Sequence, residues 1–307
     1  GAAPGAPDAP DACVEVVERA DVALQPWTRG PGSHKLTPGA VALLAGSDDI
    51  MGAALLTGRG ALRAGGGYVI LGSTRPVVDA AAVATPELVC HVLTDDSALG
   101  PDALDAFKPA VERASVLAIG SGLHRDAPQA ALVRRVLDEI DMPVVLDADA
   151  LNALDGDLGP VARRMQPTIL TPHAGELARL LSIPRAEVEA DRLGAATRIG
   201  RAAGNAVVVC KGEPTLVVGS RGASVLVVDS GGPELATAGT GDVLTGVVAA
   251  RLTAVPDATA AAVGAAYVHG LAGRIAASSR ASLGVVAWDV AEALPSAMQD
   301  LATGARA

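Results

Sequence analysis

Short apolar runs recur along the chain, and most of them close on a polar or glycine-rich turn. Residues 41–45 are continuously apolar and give way to Gly46-Ser47-Asp48-Asp49. A run of that length bounded by a turn reads as a strand buried on both faces. A helix is expected over about 52–64. Gly65-Gly66-Gly67 breaks it, and residues 68–71 supply the next strand, so the order is that of a βαβ unit. The same reading gives strands at 87–93, 115–120, 144–146, 168–170 and 206–210, with helices near 127–140, around Leu177, Leu180 and Leu181, and over 186–203. Past residue 214 the alternation stops. Runs at 215–218 and 224–228 flank Gly219-Ser220-Arg221-Gly222, a hairpin signal. Helices follow at about 242–254 and 257–278, with one more after Trp288. The pattern predicts an α/β fold: a mostly parallel central sheet, helices on both faces and an antiparallel edge in the C-terminal third. Residues 1–33 read as an N-terminal extension, disordered over about 1–12, and 34–300 as one domain.

The polar turns carry the candidate chemistry. Gly46-Ser47-Asp48, Gly120-Ser121-Gly122, Asp147-Ala148-Asp149, Thr171-Pro172-His173 and Lys211-Gly212 all follow apolar runs. In an open α/β sheet ligands bind at the carboxyl ends of the strands, so these turns are expected to meet on one rim. The most informative turn precedes a helix: Ala236-Thr237-Ala238-Gly239-Thr240-Gly241-Asp242. Its glycines leave backbone N–H groups uncovered, and a helix start adds free N–H groups and the positive end of the dipole. Such a place binds phosphate. A carboxylate there repels a phosphate, but it makes sense as a base that takes a proton from a hydroxyl while the N–H groups of Gly239, Thr240 and Gly241 hold the phosphoryl group. The plain alternative is an acidic residue stabilising a helix start. Asp147 and Asp149 read as caps of the next turn, or Asp149 as facing substrate.

Composition narrows the field. Half of the 307 residues are hydrophobic and 2% are aromatic, so the core is built from Val, Leu, Ile and Ala. A net charge of −10 without a basic run argues against nucleic acid. Three scattered cysteines suggest neither a disulfide framework nor a zinc site. No signal peptide or apolar run of membrane-spanning length is evident, and a cytoplasmic location is expected. GxxxxGK[ST], a complete GxGxxG, HExxH and GxSxG do not occur. Lysine occurs only at Lys35, Lys108 and Lys211, which singles out Lys211 at a strand end.

Taken together, ATAGTGD (236–242), TPHAGE (171–176), DADALN (147–152), KGEPT (211–215) and the early GSDDIMGAA and ALRAGGG segments resemble the ADP- or ATP-dependent NAD(P)H-hydrate dehydratases of the ribokinase-like superfamily. The likeness runs over roughly 34–280. It implies that the S epimer of NADH or NADPH hydrate is phosphorylated on its ring hydroxyl and then loses phosphate. It further implies Asp242 as base, with Ala53, Gly122, His173 and Asp242 touching the hydrate. Lys211, Gly212, Glu213, Pro214, Thr215 and Gly241 would line the adenine nucleotide, and Glu176 would order Mg2+ through water. A homo-oligomer, a tetramer, and functional pairing with an NAD(P)H-hydrate epimerase are implied as well. The chain departs from the pattern at His124, where GPGLG is usual, and at Gly232 and Glu234, where GNPGMAT is usual. A superfamily kinase of a hydroxymethylpyrimidine or thiazole vitamin precursor is the competing expectation, and His173 in place of Asn weighs against it. A nucleotide-binding relative without turnover is the third.

Overall fold

The computed structural model describes residues 13–34, 37, 39–278 and 281–304. The disorder expected over 1–12 and the residue Lys35 lie outside the described residues. Ten strands form one sheet: β1 (Cys13–Val16), β2 (Ala40–Leu44), β3 (Tyr68–Thr74), β4 (Val89–Thr94), β5 (Val116–Ile119), β6 (Val144–Leu146), β7 (Thr168–Leu170), β8 (Val207–Cys210), β9 (Thr215–Val218) and β10 (Ser224–Val228). Their order is β1-β10-β9-β8-β7-β6-β5-β2-β3-β4. From β8 to β4 every neighbour is parallel, while β9 is antiparallel to both β8 and β10. The predicted α/β architecture with its antiparallel edge is therefore what the chain adopts.

The two sheet faces feed two separate cores. Along β5, Val116 and Ala118 enter one apolar cluster and Leu117 and Ile119 the other. Period-two alternation in a strand covered on both sides produces this division. Among the helices, α1 (Met51–Arg63), α2 (Ala174–Leu181), α3 (Arg192–Ala202), α4 (Thr240–Ala254), α5 (Ala258–Ser278) and α6 (Ala287–Gly304) bear on the site. The helix expected over 186–203 is two, Arg185–Ala190 and α3. Asp191 leaves helical geometry between them, and its carboxylate accepts the Gly194 N–H at 2.8 Å, capping the second.

Helices α1 and α4 touch backbone to backbone. A Cβ at Gly60 would land on the Val243 carbonyl, and one at Gly246 on the Thr57 carbonyl. Neither position has room for a larger residue. Helix α1 is tied to α6 as well: Arg59 and Arg63 pair with Glu292, and the Arg59 guanidinium lies 4.1 Å over the Trp288 ring.

Residues 13–27 bind onto the domain. Strand β1 pairs in parallel with β10, and the Val17 N–H donates to the Val227 carbonyl at 2.9 Å. A short helix follows at Arg19–Ala23. Arg251 of α4 lies 3.9 Å over the Trp27 ring and donates to the Pro26 carbonyl at 2.8 Å. No helix among the described residues is long and apolar enough to cross a membrane.

Candidate active site

Strands β2, β5, β6, β7 and β8 lie side by side and run the same way, so the turns after them share one rim. At its centre Lys211 Nζ donates to Asp147 Oδ1 at 2.8 Å and stands 3.8 Å from Glu176 Oε2. Asp147 is 1% exposed. Its Oδ1 also accepts the Thr171 hydroxyl at 2.7 Å, and its Oδ2 accepts the Thr245 hydroxyl at 2.6 Å. Burial opposes ionisation of this carboxyl, but Lys211 and the two hydroxyls outweigh it and hold the group below the usual carboxylate range. In turn the Lys211 ammonium, disfavoured by burial, is held charged by Asp147 and Glu176, with Asp242 adding to both. Asp147 is thus the buried anchor of the site rather than a turn cap, a role that residue spacing alone does not reveal.

Asp242 faces this centre from the first turn of α4. Burial lifts its carboxyl to about 7, and the Asp147 charge adds to the lift; hydrogen bonding from Ser121 and the charge of Lys211 oppose it. The donor turn begins at Gly239, whose φ of 89° and contact with Leu56 of α1 leave no place for a side chain. The Thr240 N–H turns back to the Thr237 carbonyl at 3.4 Å, and its hydroxyl donates to the Leu235 carbonyl at 2.8 Å. Among the described residues the N–H groups of Gly239, Gly241 and Asp242 meet no protein acceptor, so they are open donors of the turn, while that of Thr240 is taken. Gly241 lies against the lysine: a Cβ there would stand 3.3 Å from Lys211 Nζ.

His173 caps α2. Its Nδ1 accepts the N–H groups of Gly175 at 2.9 Å and Glu176 at 3.3 Å, while its own N–H donates to Glu176 Oε2 at 2.8 Å. Nδ1 is therefore bare and Nε2 carries the proton. Partial burial and then the charge of Lys211 push this imidazole down to about 4. Glu176 is buried, and burial raises its carboxyl. Ala53 and Gly122 meet each other: a Cβ at Gly122 would be 3.1 Å from the Ala53 Cβ. Next to Gly122, Ser121 Oγ accepts the Thr57 hydroxyl of α1 at 3.0 Å.

Beside Lys211 opens a cavity of about 200 Å3. Lys211, Gly212, Glu213, Pro214 and Thr215 line one wall, and Thr240 and Gly241 another. Three residues emerge that the sequence did not single out. Ser230 lines the cavity with a buried hydroxyl that has no hydrogen-bond partner. His269 lines it too and is buried. Arg192, at the start of α3, donates to the carbonyls of Glu213 at 2.8 Å and Pro214 at 2.6 Å and so pins the wall from behind.

The departures noted in the sequence also find their places. The Glu234 carboxylate does not line the cavity. It packs over Gly232, with Oε2 2.8 Å from where a Cβ on that glycine would sit. Thus Glu234 fills space left by the missing side chain at 232. His124 has φ 74°, and its N–H donates to Asp149 Oδ2 at 3.1 Å. Arg125 donates to the same carboxylate at 3.0 Å, so Asp149 is a tied residue of the rim.

The sequence model of the NAD(P)H-hydrate dehydratases matches residues 41–296. The chain belongs to the NAD(P)H-hydrate dehydratase family. Within that family, an ADP-dependent (S)-NAD(P)H-hydrate dehydratase from Xanthomonas campestris is 35% identical over 95% of this chain and 98% of its own length. A bifunctional NAD(P)H-hydrate repair enzyme from Moorella thermoacetica is 39% identical over 89% of this chain but 52% of its own. The chain spans about half the length of the first bifunctional relatives that it matches. Among solved structures, the ADP/ATP-dependent dehydratase of Bacillus subtilis, co-crystallised with ATP and Mg2+, superposes with TM-score 0.80 at 30% identity, covering 94% of this chain and 99% of that one. A ribokinase-like protein of Enterococcus faecalis, 24% identical with TM-score 0.80 over 94% and 96% of the two chains, shares the fold.

Proposed function

We propose that the chain restores NADH or NADPH from the S epimer of its hydrate, using ADP or ATP to turn a poor leaving group into a good one. The observation that carries this reading is Asp242: a carboxyl held near 7 beside the open N–H groups of Gly239 and Gly241 and the Lys211 ammonium. In the first step Asp242 accepts the proton of the ring hydroxyl. The oxygen attacks the terminal phosphorus, and AMP leaves from ADP, or ADP from ATP. The Gly241 and Asp242 N–H groups face the charge that develops on the phosphoryl oxygens. In the second step the ring nitrogen supplies an electron pair as the C–O bond breaks and phosphate departs. Loss of a proton from the adjacent carbon then restores the double bond.

The hydrate lies, in this reading, between Ala53, Gly122 and His173, with the His173 Nε2–H as donor. The nucleotide lies in the cavity walled by residues 211–215, with Ser230 offering its free hydroxyl. Both Glu176 oxygens face His173, at 2.8 Å to its N–H and 3.4 Å to its ring nitrogen. That arrangement fits an Mg2+ carried on the phosphates and met through water better than one seized directly. Bound there, the ion would neutralise phosphate charge. The resemblance supports a homotetramer working with an epimerase in the cytoplasm, and sedimentation velocity tests the assembly.

Absorbance at 340 nm decides the main point. NADH hydrate incubated with the protein and either ADP or ATP is expected to regain the NADH band with at least one of them. Recovery with neither removes the reading. Formation of a phosphorylated vitamin precursor instead would favour the kinase.

Two further outcomes are expected. Since Asp242 must be ionised to act, kcat/KM should fall about tenfold per pH unit below pH about 7 and level off above it. A limb near pH 4 would show that the Asp242 carboxyl is not lifted by its surroundings, and a rate independent of pH from 4 to 8 would assign the proton transfer elsewhere. Arg192→Met removes the brace behind the nucleotide wall. A loss of about 1.4 kcal/mol, just under the range for one hydrogen bond to a charged group, corresponds to about tenfold weaker ADP binding by calorimetry. Unchanged affinity would show that the loop holds its shape unaided.

A further inference from the structure

We propose that His269 is a positioning residue, which aims and polarises the Gly241 N–H toward the phosphoryl group in transfer. Its kinetic arm rests on the reading above; its structural arm does not. His269 projects from α5, is 6% exposed, and its Nε2 stands 2.9 Å from the Thr240 carbonyl oxygen. That oxygen and the Gly241 N–H belong to one planar peptide group. Holding the oxygen therefore fixes where the N–H points.

The polarity of the contact follows from the partners. A carbonyl oxygen only accepts, so Nε2 carries the proton and Nδ1 is bare. Burial pushes the imidazole down to about 4, and the charge of Lys211 acts in the same sense, so the ring is neutral under ordinary conditions. Donation into a carbonyl draws electron density through the amide and makes its N–H a stronger donor. The Thr240 side chain holds the same peptide from the other end, through its hydroxyl on the Leu235 and Thr237 carbonyls at 2.8 and 2.9 Å. Helix α5 comes close enough for this because Gly270 follows His269. A Cβ at Gly270 would fall on Ser230 and Gly231. None of these contacts is needed to close a core, since His269 borders the open cavity.

A pair of substitutions separates positioning from packing. Gln places an N–H donor where Nε2 stands but lacks the ring; Phe keeps the ring but lacks the donor. His269→Phe is expected to lower kcat about 10- to 100-fold, short of the loss seen when an oxyanion donor is removed outright. The KM for ADP should change by less than kcat does, and His269→Gln should recover most of the rate. If Phe is the better replacement, the ring only fills space and the proposal fails. If the ADP KM rises with kcat unchanged, His269 contacts nucleotide directly and the proposal fails again.

The structural arm uses amide and imidazole resonances of the unliganded protein. The Gly241 15N signal should shift in His269→Phe and stay in His269→Gln. In wild type the ring should show a protonated Nε2 and a bare Nδ1 from pH 5.5 to 8. A proton on Nδ1 instead overturns the proposal even if both variants fail to fold. Absence of hydrate turnover by wild type would remove the functional reading and leave these signals to decide the role of His269.

Discussion

Asp242→Asn is expected to lower turnover of NADH hydrate by about 10²- to 10⁴-fold, the range for loss of a general base. ADP should still bind, because the residues lining its cavity are untouched. The same change should raise thermal stability by an amount that grows as pH rises from about 4 and levels off near 7. The sign follows from the carboxyl's position near 7 against an ordinary 3.8. The folded chain holds this proton more tightly than the unfolded one, so the group's contribution is fully present below about pH 4. It is lost as pH rises from 4 to 7. The ionised carboxylate then costs the fold up to about 4 kcal/mol. Asparagine never ionises, so the variant should melt higher than wild type at pH 8 and alike at pH 4. Full activity in a clean preparation would remove Asp242 as the base. An equal gain in Tm at both pH values would mean that its charge is not what strains the fold.

Lys211→Met should destabilise the chain by about 3–5 kcal/mol, as expected when one member of a buried ion pair is removed. The cost arises at Asp147, which would keep two hydroxyl donors but lose the ammonium that holds it ionised. Adding Asp147→Asn should restore much of the loss, since the charge is then gone from both sides. Nucleotide affinity should not return with it, because no cation is left beside Gly241. Urea unfolding of the two single variants and the double variant gives the coupling directly. A double variant no more stable than Lys211→Met would show that Asp147 is not the charge left stranded.

Much of this architecture was legible in the pattern of apolar runs. Strands buried on both faces stand out as continuous apolar segments, and β2, β5, β6, β7 and β8 fall where those segments do. Strand β1 was not legible. It has four exposed residues at a sheet edge, and pairing with β10, 211 residues further along (Cys13 opposite Ser224), is what makes it a strand. The break at Asp191 was missed because helical periodicity continues on both sides of it, and the stop lies in one capping carboxylate.

The site divides in the same way. Turns after parallel strands must meet on one rim, so Lys211, His173 and the Gly239–Asp242 turn were foreseeable as neighbours. The sequence carries no mark of who pairs with whom. Asp147 reads as a cap until Lys211, Thr171 and Thr245 are seen around it. His269 and Arg192 act through a carbonyl oxygen of another residue, and backbone atoms leave no trace in residue identity.

The seam between α1 and α4 bears on how this protein tolerates inherited change. Helix α1 carries Ala53 and Thr57, and α4 carries Asp242 and Thr245. A methyl group at residue 60 or 246 would force these two walls apart and with them the acid from its cleft. Two positions that hold no reactive atom thus leave little room for genetic drift.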